Sequence, residues 1–121
     1  MPLLPQERRI REIKRELAKL PAMRPGTLSE QYNTCGQPNC RCKDKREPFK
    51  HGPYLQLSYS FRGRSHTEFV RREELETVQA QLVAYARFRE LTEEWIALSI
   101  EIAKEERSAA KHRATKEVHH G

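Results

Sequence analysis

Apolar residues near the start of the chain recur at the spacing of an amphipathic helix. They follow one another in steps of three and four, separated mainly by charged residues, at Ile10, Ile13, Leu17 and Leu20. Such spacing places apolar side chains on one face of a helix, and a proline ends the pattern. Since Pro21 comes next, we predict a helix over residues 6–20.

Residues 54–70 show the alternation of apolar and polar residues that is typical of β-strands. The apolar positions of the first run are Leu55, Leu57, Tyr59 and Phe61. Side chains two residues apart share one face of a strand, so one face of this run is apolar. The second run follows Arg62-Gly63-Arg64, and we predict an antiparallel β-hairpin.

The register of this hairpin depends on the length of its loop. A three-residue loop pairs Leu57 with Phe69 and keeps the apolar side chains together. A two-residue loop instead sets Leu57 beside Glu68. We therefore expect the three-residue loop.

A long helix is predicted over residues 73–113, where no glycine or proline occurs. Its apolar positions step by three or four throughout: Leu75, Val78, Leu82, Tyr85, Phe88, Leu91, Trp95, Leu98 and Ile102. At about 1.5 Å per residue such a helix is roughly 60 Å long, more than a small domain can cover. Two arrangements would cover it: an intramolecular helical hairpin, or a homodimer whose candidate partner interface is Phe88, Leu91, Trp95, Leu98 and Ile102.

The remaining segments are predicted to be irregular. Residues 27–53 form a loop dense in Cys, Gly, Pro and basic residues, and its start, residues 27–30, could form a short turn of helix. Residues 114–121 are a tail. The chain as a whole is expected to be a single α+β domain.

Three cysteines and a histidine within 17 residues are the most specific chemical feature of the chain. They are Cys35, Cys40, Cys42 and His51, in the spacing C-x4-C-x-C-x8-H. Thiolates and imidazole are the ligands of structural zinc sites, which have four ligands and no open position for catalysis. We expect a structural zinc ion here, with His66 as an alternative fourth ligand. A redox role, another metal, a nucleophilic cysteine and incidental cysteines remain as alternatives.

Charge is distributed unevenly along the 121 residues. The chain carries a net charge of +6, and its first 72 residues hold 16 Lys and Arg against 7 acidic residues. A basic region on an otherwise balanced chain favours a polyanionic partner. The candidate nucleic-acid-binding residues are Arg41, Lys43, Lys45, Arg46, Lys50, Arg62, Arg64, Arg71 and Arg72. If the target is single-stranded, Tyr54 or Tyr59 would stack on bases, although Tyr59 lies on the apolar face of its strand.

Catalysis and membrane insertion are not expected. The chain has one aspartate, Asp44, and neither a glycine-rich phosphate loop nor a nucleophile elbow. We expect His66 and Glu68 to lie on opposite faces of their strand, which would rule them out as an acid–base pair. The longest apolar run has five residues, Leu82 to Ala86, too short for a membrane span or a secretory signal. A cytoplasmic protein is expected.

Several segments together resemble a known family. The segments are Leu28-Ser-Glu-Gln-Tyr32, Cys-Gly-Gln-Pro-Asn-Cys-Arg-Cys, His-Gly-Pro-Tyr54, the Arg-Gly-Arg hairpin and the helix containing Tyr85. Over roughly residues 21–100 they resemble a small bacterial domain of unknown function, often associated with transposons and other mobile elements. The resemblance implies an accessory role beside a transposase or recombinase, and it identifies no catalytic residue.

Two functions follow as hypotheses. The first is a zinc-stabilised protein that binds nucleic acid, with DNA as the expected polymer. The second is a protein–protein adaptor that uses the long C-terminal helix. Phosphate contacts predict an affinity that falls steeply with salt, whereas an adaptor predicts sensitivity to changes at Trp95 or Leu98.

Overall fold

The structure is a computed structural model, and it describes residues 3–33 and 51–119. In chain order, its elements are helix α1 (Pro5–Lys19), strands β1 (Thr27–Asn33), β2 (His51–Phe61) and β3 (Arg64–Val70), a 3₁₀ turn (Arg72–Glu74) and helix α2 (Leu75–His119). The predicted α+β class is confirmed. The chain divides into two compact units, one of Pro21–Ala86 and one of Met1–Leu20 with Arg87–Gly121.

The first unit, called here the sheet unit, is built on a three-stranded antiparallel sheet in the order β1-β2-β3. Its core consists of Leu57 from β2, Val70 from β3 and Val78 from α2, all buried. Four partly buried residues pack against this core: Leu28, Leu55, Tyr59 and Leu82. The first turns of α2 therefore cover the apolar face that the alternation in β2 predicts.

The expectation of a helical turn at residues 27–30 is wrong, because these residues begin strand β1. Leu28 lies opposite Leu57, so β1 extends the apolar face of β2. An isolated two-stranded hairpin is marginal in water, and a third strand supplies the pairing that it lacks. This third strand, Thr27–Asn33, lies within the segment that the sequence predicts to be a loop.

The expected three-residue loop is also wrong. Phe61 pairs with Arg64, so only Arg62 and Gly63 lie in the turn, and Leu57 is opposite Glu68. Both turn residues have positive φ, 51° and 77°, as in the type I′ turn, whose twist matches that of paired strands. Glu68 is accommodated at the sheet edge because it remains partly exposed and is paired with Arg24.

The second unit, called here the helical unit, combines α1 with the part of α2 that follows residue 86. The predicted and observed bounds of α1 differ by one residue at each end, and Pro5 occupies its first turn. Ile13 and Leu91 are fully buried, and the ion pairs Arg9–Glu94 and Arg87–Glu16 join the two helices. The helical-hairpin alternative therefore describes this unit.

Helix α2 differs from the prediction of residues 73–113 at both ends. It begins at Leu75, two residues later than expected, because Glu73 and Glu74 belong to the 3₁₀ turn. It continues to His119, so the residues expected to form a tail are mostly helical. No helix within residues 3–33 and 51–119 is long and apolar enough to cross a membrane.

Candidate nucleic-acid interface

The turn between β2 and β3 presents two of the predicted arginines. Arg62 has a φ of 51°, in a region that few residues other than Gly, Asn and Asp adopt. Its guanidinium carbon lies 5.1 Å from the centre of the Phe61 ring, and Phe61 itself is exposed. Arg64, at the first position of β3, is also exposed. The tip of the hairpin is therefore a cationic, solvent-facing surface.

Arg71 and Arg72 follow the opposite end of β3. The backbone N–H of Arg71 donates to Glu74 Oε2 at 3.2 Å, and the Glu74 N–H donates to the Arg71 carbonyl at 2.9 Å. Both hydrogen bonds at the start of the 3₁₀ turn use backbone groups of Arg71, so its side chain takes no part in them. Both arginine side chains line a groove of about 410 Å³ beside Tyr54 and Phe69.

None of these four arginines has a carboxylate partner within the described part of the chain. Arg24, by contrast, does form an ion pair: its Nη2 atom lies 2.8 Å from Glu68 Oε2. Pairing with Glu68, Glu74 or Glu76 would have made Arg71 and Arg72 structural. The described contacts leave the guanidinium groups of all four available to an anion.

Glu68 belongs to a cluster on the helix-facing side of the sheet. Tyr59 donates its hydroxyl to Glu68 Oε1 at 3.1 Å, and the His66 ring stacks on Tyr59 with centroids 4.8 Å apart. The expectation that His66 and Glu68 lie on opposite faces is wrong, because residues two apart in a strand share a face. Both side chains meet Tyr59, the register partner of His66.

The electrostatics of this cluster favour a structural role. Hydrogen bonds from Arg24 and then from Tyr59 lower the pKa of Glu68, so the carboxylate stays ionised. The same bond to Glu68 raises the pKa of the Tyr59 hydroxyl. A carboxylate that is ionised and accepts two hydrogen bonds is a poor proton donor. The hydrogen bond from Arg24 to Glu68 also holds the segment before β1 against the sheet.

The other side of the sheet has a composition that sequence reasoning missed. We call it the open face, and its side chains are Thr27, Ser29, Gln31, Tyr54, Gln56, Ser58, Ser60, Ser65, Thr67 and Phe69. None of them is charged, and seven are exposed. In β2 the sequence shows small polar residues alternating with Leu55, Leu57 and Tyr59. Which residues of β1 and β3 lie on the same face as these polar residues depends on the register, which the sequence does not show.

The predicted zinc ligands and the basic positions beside them are not described. Cys35, Cys40, Cys42 and the residues Arg41, Lys43, Lys45, Arg46 and Lys50 lie outside the described residues. His51 is the first residue of β2, and its backbone pairs with Asn33 at the end of β1. Among the residues that the structure does describe, no three His, Cys, Asp or Glu side chains come together as a metal site.

Comparison of the sequence with models of known protein families assigns the chain to a family. A domain of unknown function, DUF6788, matches residues 4–80. The chain belongs to the DUF6788 family. No curated protein and no solved structure matches it. The DUF6788 match begins earlier and ends earlier than the resemblance over residues 21–100, and it includes α1, all three strands and the four arginines.

The predicted partner interface lies beyond the DUF6788 match. Leu91 is fully buried inside the helical unit, Phe88 is 37% exposed, and Trp95, Leu98 and Ile102 are partly buried. Lys14 Nζ lies 5.1 Å from the centre of the Trp95 ring, which ties Trp95 to α1. Among the large apolar residues whose burial is described in this part of α2, Ile96 and Ile100 are the most exposed, at 59% and 50%.

Ile96 and Ile100 were absent from the predicted interface because their side chains lie beside the main apolar stripe of the helix. Together with Trp95 they line a shallow, mostly apolar groove of about 450 Å³. The surface available to a partner helix is thus displaced from Leu91 toward Ile96 and Ile100.

Proposed function

We propose that the protein binds nucleic acid, with DNA as the first polymer to test, through the arginines of its sheet unit. The observation that carries this proposal is the placement of Arg62, Arg64, Arg71 and Arg72 at the two ends of β3 with no carboxylate partner in the described residues. Guanidinium groups form forked hydrogen bonds to phosphate oxygens. Two pairs of them along one strand provide several points of attachment to a phosphate chain.

The conformation of Arg62 supports the proposal. An L-residue in the left-handed region stores about 1–3 kcal/mol of strain, and Asn or Gly is favoured at this turn position. An arginine held there places a charge at the tip of the hairpin despite this strain. Binding of an anion provides a physical reason for that choice of residue.

A structural zinc ion is part of the proposal. Three thiolates and one imidazole, from Cys35, Cys40, Cys42 and His51, satisfy the four-ligand requirement of such a site. The pairing of Asn33 with His51 supports it, because the sheet joins the two ends of the cysteine-containing segment. Zinc would hold the five basic residues of that segment at the same end of the sheet as Arg71 and Arg72.

The biological setting proposed here rests on the family resemblance. The resemblance to a domain often associated with mobile elements supports an accessory role beside a transposase or recombinase, and a cytoplasmic location is proposed with it. Binding without catalysis is the function proposed.

The test is fluorescence-anisotropy titration of the full-length protein with labelled DNA at stepped salt. Changing Arg62 and Arg64 together to Ala should weaken binding, and should reduce the slope of log affinity against log salt by about two for two lost phosphate contacts on duplex DNA. The matched control removes the same charge from α2 by changing Arg107 and Lys111 to Ala. Absence of binding at low salt would refute the proposal.

A second candidate function, that of a protein–protein adaptor, is favoured by the groove at Ile96 and Ile100. Two half-exposed isoleucines on one helix are an apolar surface that a partner helix covers well. A second copy of the chain is the simplest partner, which makes a homodimer part of this candidate. Salt separates the two functions, since apolar contacts do not weaken as salt rises.

A further inference from the structure

The absence of charge from the open face of the sheet unit is unusual for this chain. At the 25–35% charge of an ordinary protein surface, ten positions would carry about three charged residues. All ten are Ser, Thr, Gln, Tyr or Phe. Phosphate would therefore meet no carboxylate on this face, and a base would meet hydroxyl and amide groups that both donate and accept hydrogen bonds.

Two aromatic rings stand at one end of the open face. Tyr54 is 42% exposed and Phe69 is 69% exposed, although both rings are large and apolar. Their centroids are 6.4 Å apart and their planes meet at 73°, so the rings are arranged edge to face. An aromatic surface left in water at one end of the open face fits a ligand with a flat, apolar face of its own.

The same end of the sheet supplies positive charge next to the rings. Arg71 and Arg72 line the groove of about 410 Å³ that Tyr54 and Phe69 also line. A volume of this order falls within the range of about 300–1,000 Å³ that is usual for small-ligand sites. Flat rings and guanidinium groups in one groove match the two halves of a nucleotide, its base and its phosphate.

We infer that the open face binds unpaired nucleotides of a single strand, with Tyr54 and Phe69 as the stacking platform. This inference rests on the proposed function and specifies its substrate class. Bases within a duplex expose only their edges, whereas unpaired bases stack on aromatic side chains. The exposed Phe69 ring therefore has a partner in a single strand that a duplex does not offer.

Amide and hydroxyl groups adjacent to the platform would contact the edges of the stacked bases. Gln56 is the register partner of both Phe69 and Ser29, so one row across the sheet carries a ring, an amide and a hydroxyl. The next row along the sheet carries Thr27, Ser58 and Thr67. Because rows are about 6.8 Å apart, successive nucleotides would meet successive rows.

The experiment compares labelled strands of about 16 nucleotides with a duplex of the same sequence, in DNA and in RNA, at one low salt concentration. Wild-type protein should bind a single strand at least about tenfold more tightly than the duplex. Phe69→Ala should weaken single-strand binding by about 5- to 100-fold, as expected for a lost stacking contact, and should leave duplex binding unchanged. Val83→Ala shortens an apolar side chain of α2 that is as exposed as Phe69, at 69%, and serves as the matched control.

The outcomes separate this inference from the function on which it rests. If no polymer binds, the proposed function itself fails. If DNA binds and depends on Arg62 and Arg64, but Phe69→Ala and Tyr54→Ala have no effect or duplex is preferred, the inference alone is overturned. If a free mononucleotide binds as tightly as the strand, the groove is a nucleotide pocket and the strand proposal is wrong.

A second measurement does not depend on how the variants fold. Photocrosslinking of wild-type protein to a strand that carries a halogenated pyrimidine should label Tyr54 or Phe69, because the reactive base lies against these rings. Labelling that is confined to residues outside the open face would overturn the inference. The DNA and RNA arms then show which sugar the face prefers.

Discussion

Two glycines with positive φ have different physical reasons to be glycine. A Cβ atom at Gly26 would lie 2.7 Å from Leu57 Cδ1 and 3.0 Å from the carbonyl oxygen of Ser58, at a φ of +137°. A Cβ at Gly63 would meet nothing within 4 Å, at a φ of +77°. Gly26 is thus required by both conformation and space, and Gly63 by conformation alone.

These environments predict a ranked pair of substitutions. Gly63→Ala should lower the free energy of unfolding by roughly 1–2 kcal/mol, the strain of a left-handed L-residue. Gly26→Ala should lose this amount and about 1–3 kcal/mol more, because its methyl group overpacks the core at Leu57. Urea unfolding followed by circular dichroism measures both. Equal losses would show that the segment before β1 shifts freely away from Leu57.

Arg62 is predicted to lower the stability of the fold while it strengthens nucleic-acid binding. Arg62→Asn should raise the free energy of unfolding by about 1 kcal/mol, because Asn adopts the left-handed conformation more readily. The same change should weaken nucleic-acid binding and reduce the salt slope by about 0.9 on duplex DNA. Urea unfolding and anisotropy titration give the two readouts. Arg62→Lys is the control, and it should retain most of the affinity; a stabilised Asn variant with unchanged affinity would remove Arg62 from the interface.

Glu68 is predicted to stabilise the sheet unit at neutral pH and to lose this effect in acid. Its pKa in the folded state lies below its unfolded value, chiefly because of the bond from Arg24. The stability that it contributes is therefore present above the unfolded pKa and is lost as pH falls through the folded pKa. Glu68→Gln should lower the melting temperature at pH 7, and the difference from wild type should shrink as the pH falls below 4.5.

The control for this prediction is Glu30→Gln, which neutralises an exposed carboxylate on β1 that faces the same side of the sheet. Melting curves of both variants from neutral to acidic pH provide the comparison. A constant difference between Glu68→Gln and wild type at all pH values would mean that the ion pair with Arg24 does not form.

At the scale of elements, the periodicity of apolar residues predicted α1, α2 and the two strands of the hairpin. Because helix periodicity is averaged over many residues, the predicted bounds of α1 differ from the observed ones by one residue at each end. Strand β1 could not be predicted in the same way, because Thr27 to Asn33 holds only Leu28 and Tyr32 as apolar positions. What makes this segment a strand is its pairing with β2, a contact between distant parts of the chain.

The register of β2 with β3 shows why the site was only partly predictable. Matching apolar side chains favoured Leu57 opposite Phe69, but the structure has a two-residue turn, which Gly63 suits and which leaves Arg62 strained. That one-residue shift moves Phe69 to the open face and Glu68 to the helix-facing side. The arginines were identifiable from composition, whereas the aromatic platform depends on this register.

Burial on the two sides of α2 predicts opposite effects for two apolar residues. Leu91→Ala should lower the free energy of unfolding by about 2–5 kcal/mol, because Leu91 is fully buried. Ile96→Ala should change it by no more than about 0.5 kcal/mol, as for other surface positions. Urea unfolding of the two variants tests this difference. A loss of stability in Ile96→Ala as large as that in Leu91→Ala would contradict the described packing. If the protein dimerises through the groove, sedimentation should show that Ile96→Glu dissociates the dimer.

At the scale of the whole molecule, charge and predicted metal chemistry converge on the same part of the sequence. The excess of cations lies within the first 72 residues, and the three cysteines lie among them. Among the described residues of the sheet unit, Leu57 is the large side chain that is fully buried. A metal ion would therefore contribute both to folding and to the placement of basic residues.

The zinc prediction is tested on the full-length protein by metal analysis and by chelation. One zinc ion per chain is expected, and its removal should lower the melting temperature strongly, since structural zinc contributes on the order of 10 kcal/mol to small domains. Cys42→Ser should have the same effect. His51→Ala should lose zinc whereas His66→Ala should retain it, because the His66 ring is stacked on Tyr59 in the described structure. If His66→Ala loses zinc and His51→Ala retains it, His66 is the fourth ligand and its stack on Tyr59 must open. If the metal-free protein melts at the same temperature before and after zinc is added, zinc does not stabilise this fold.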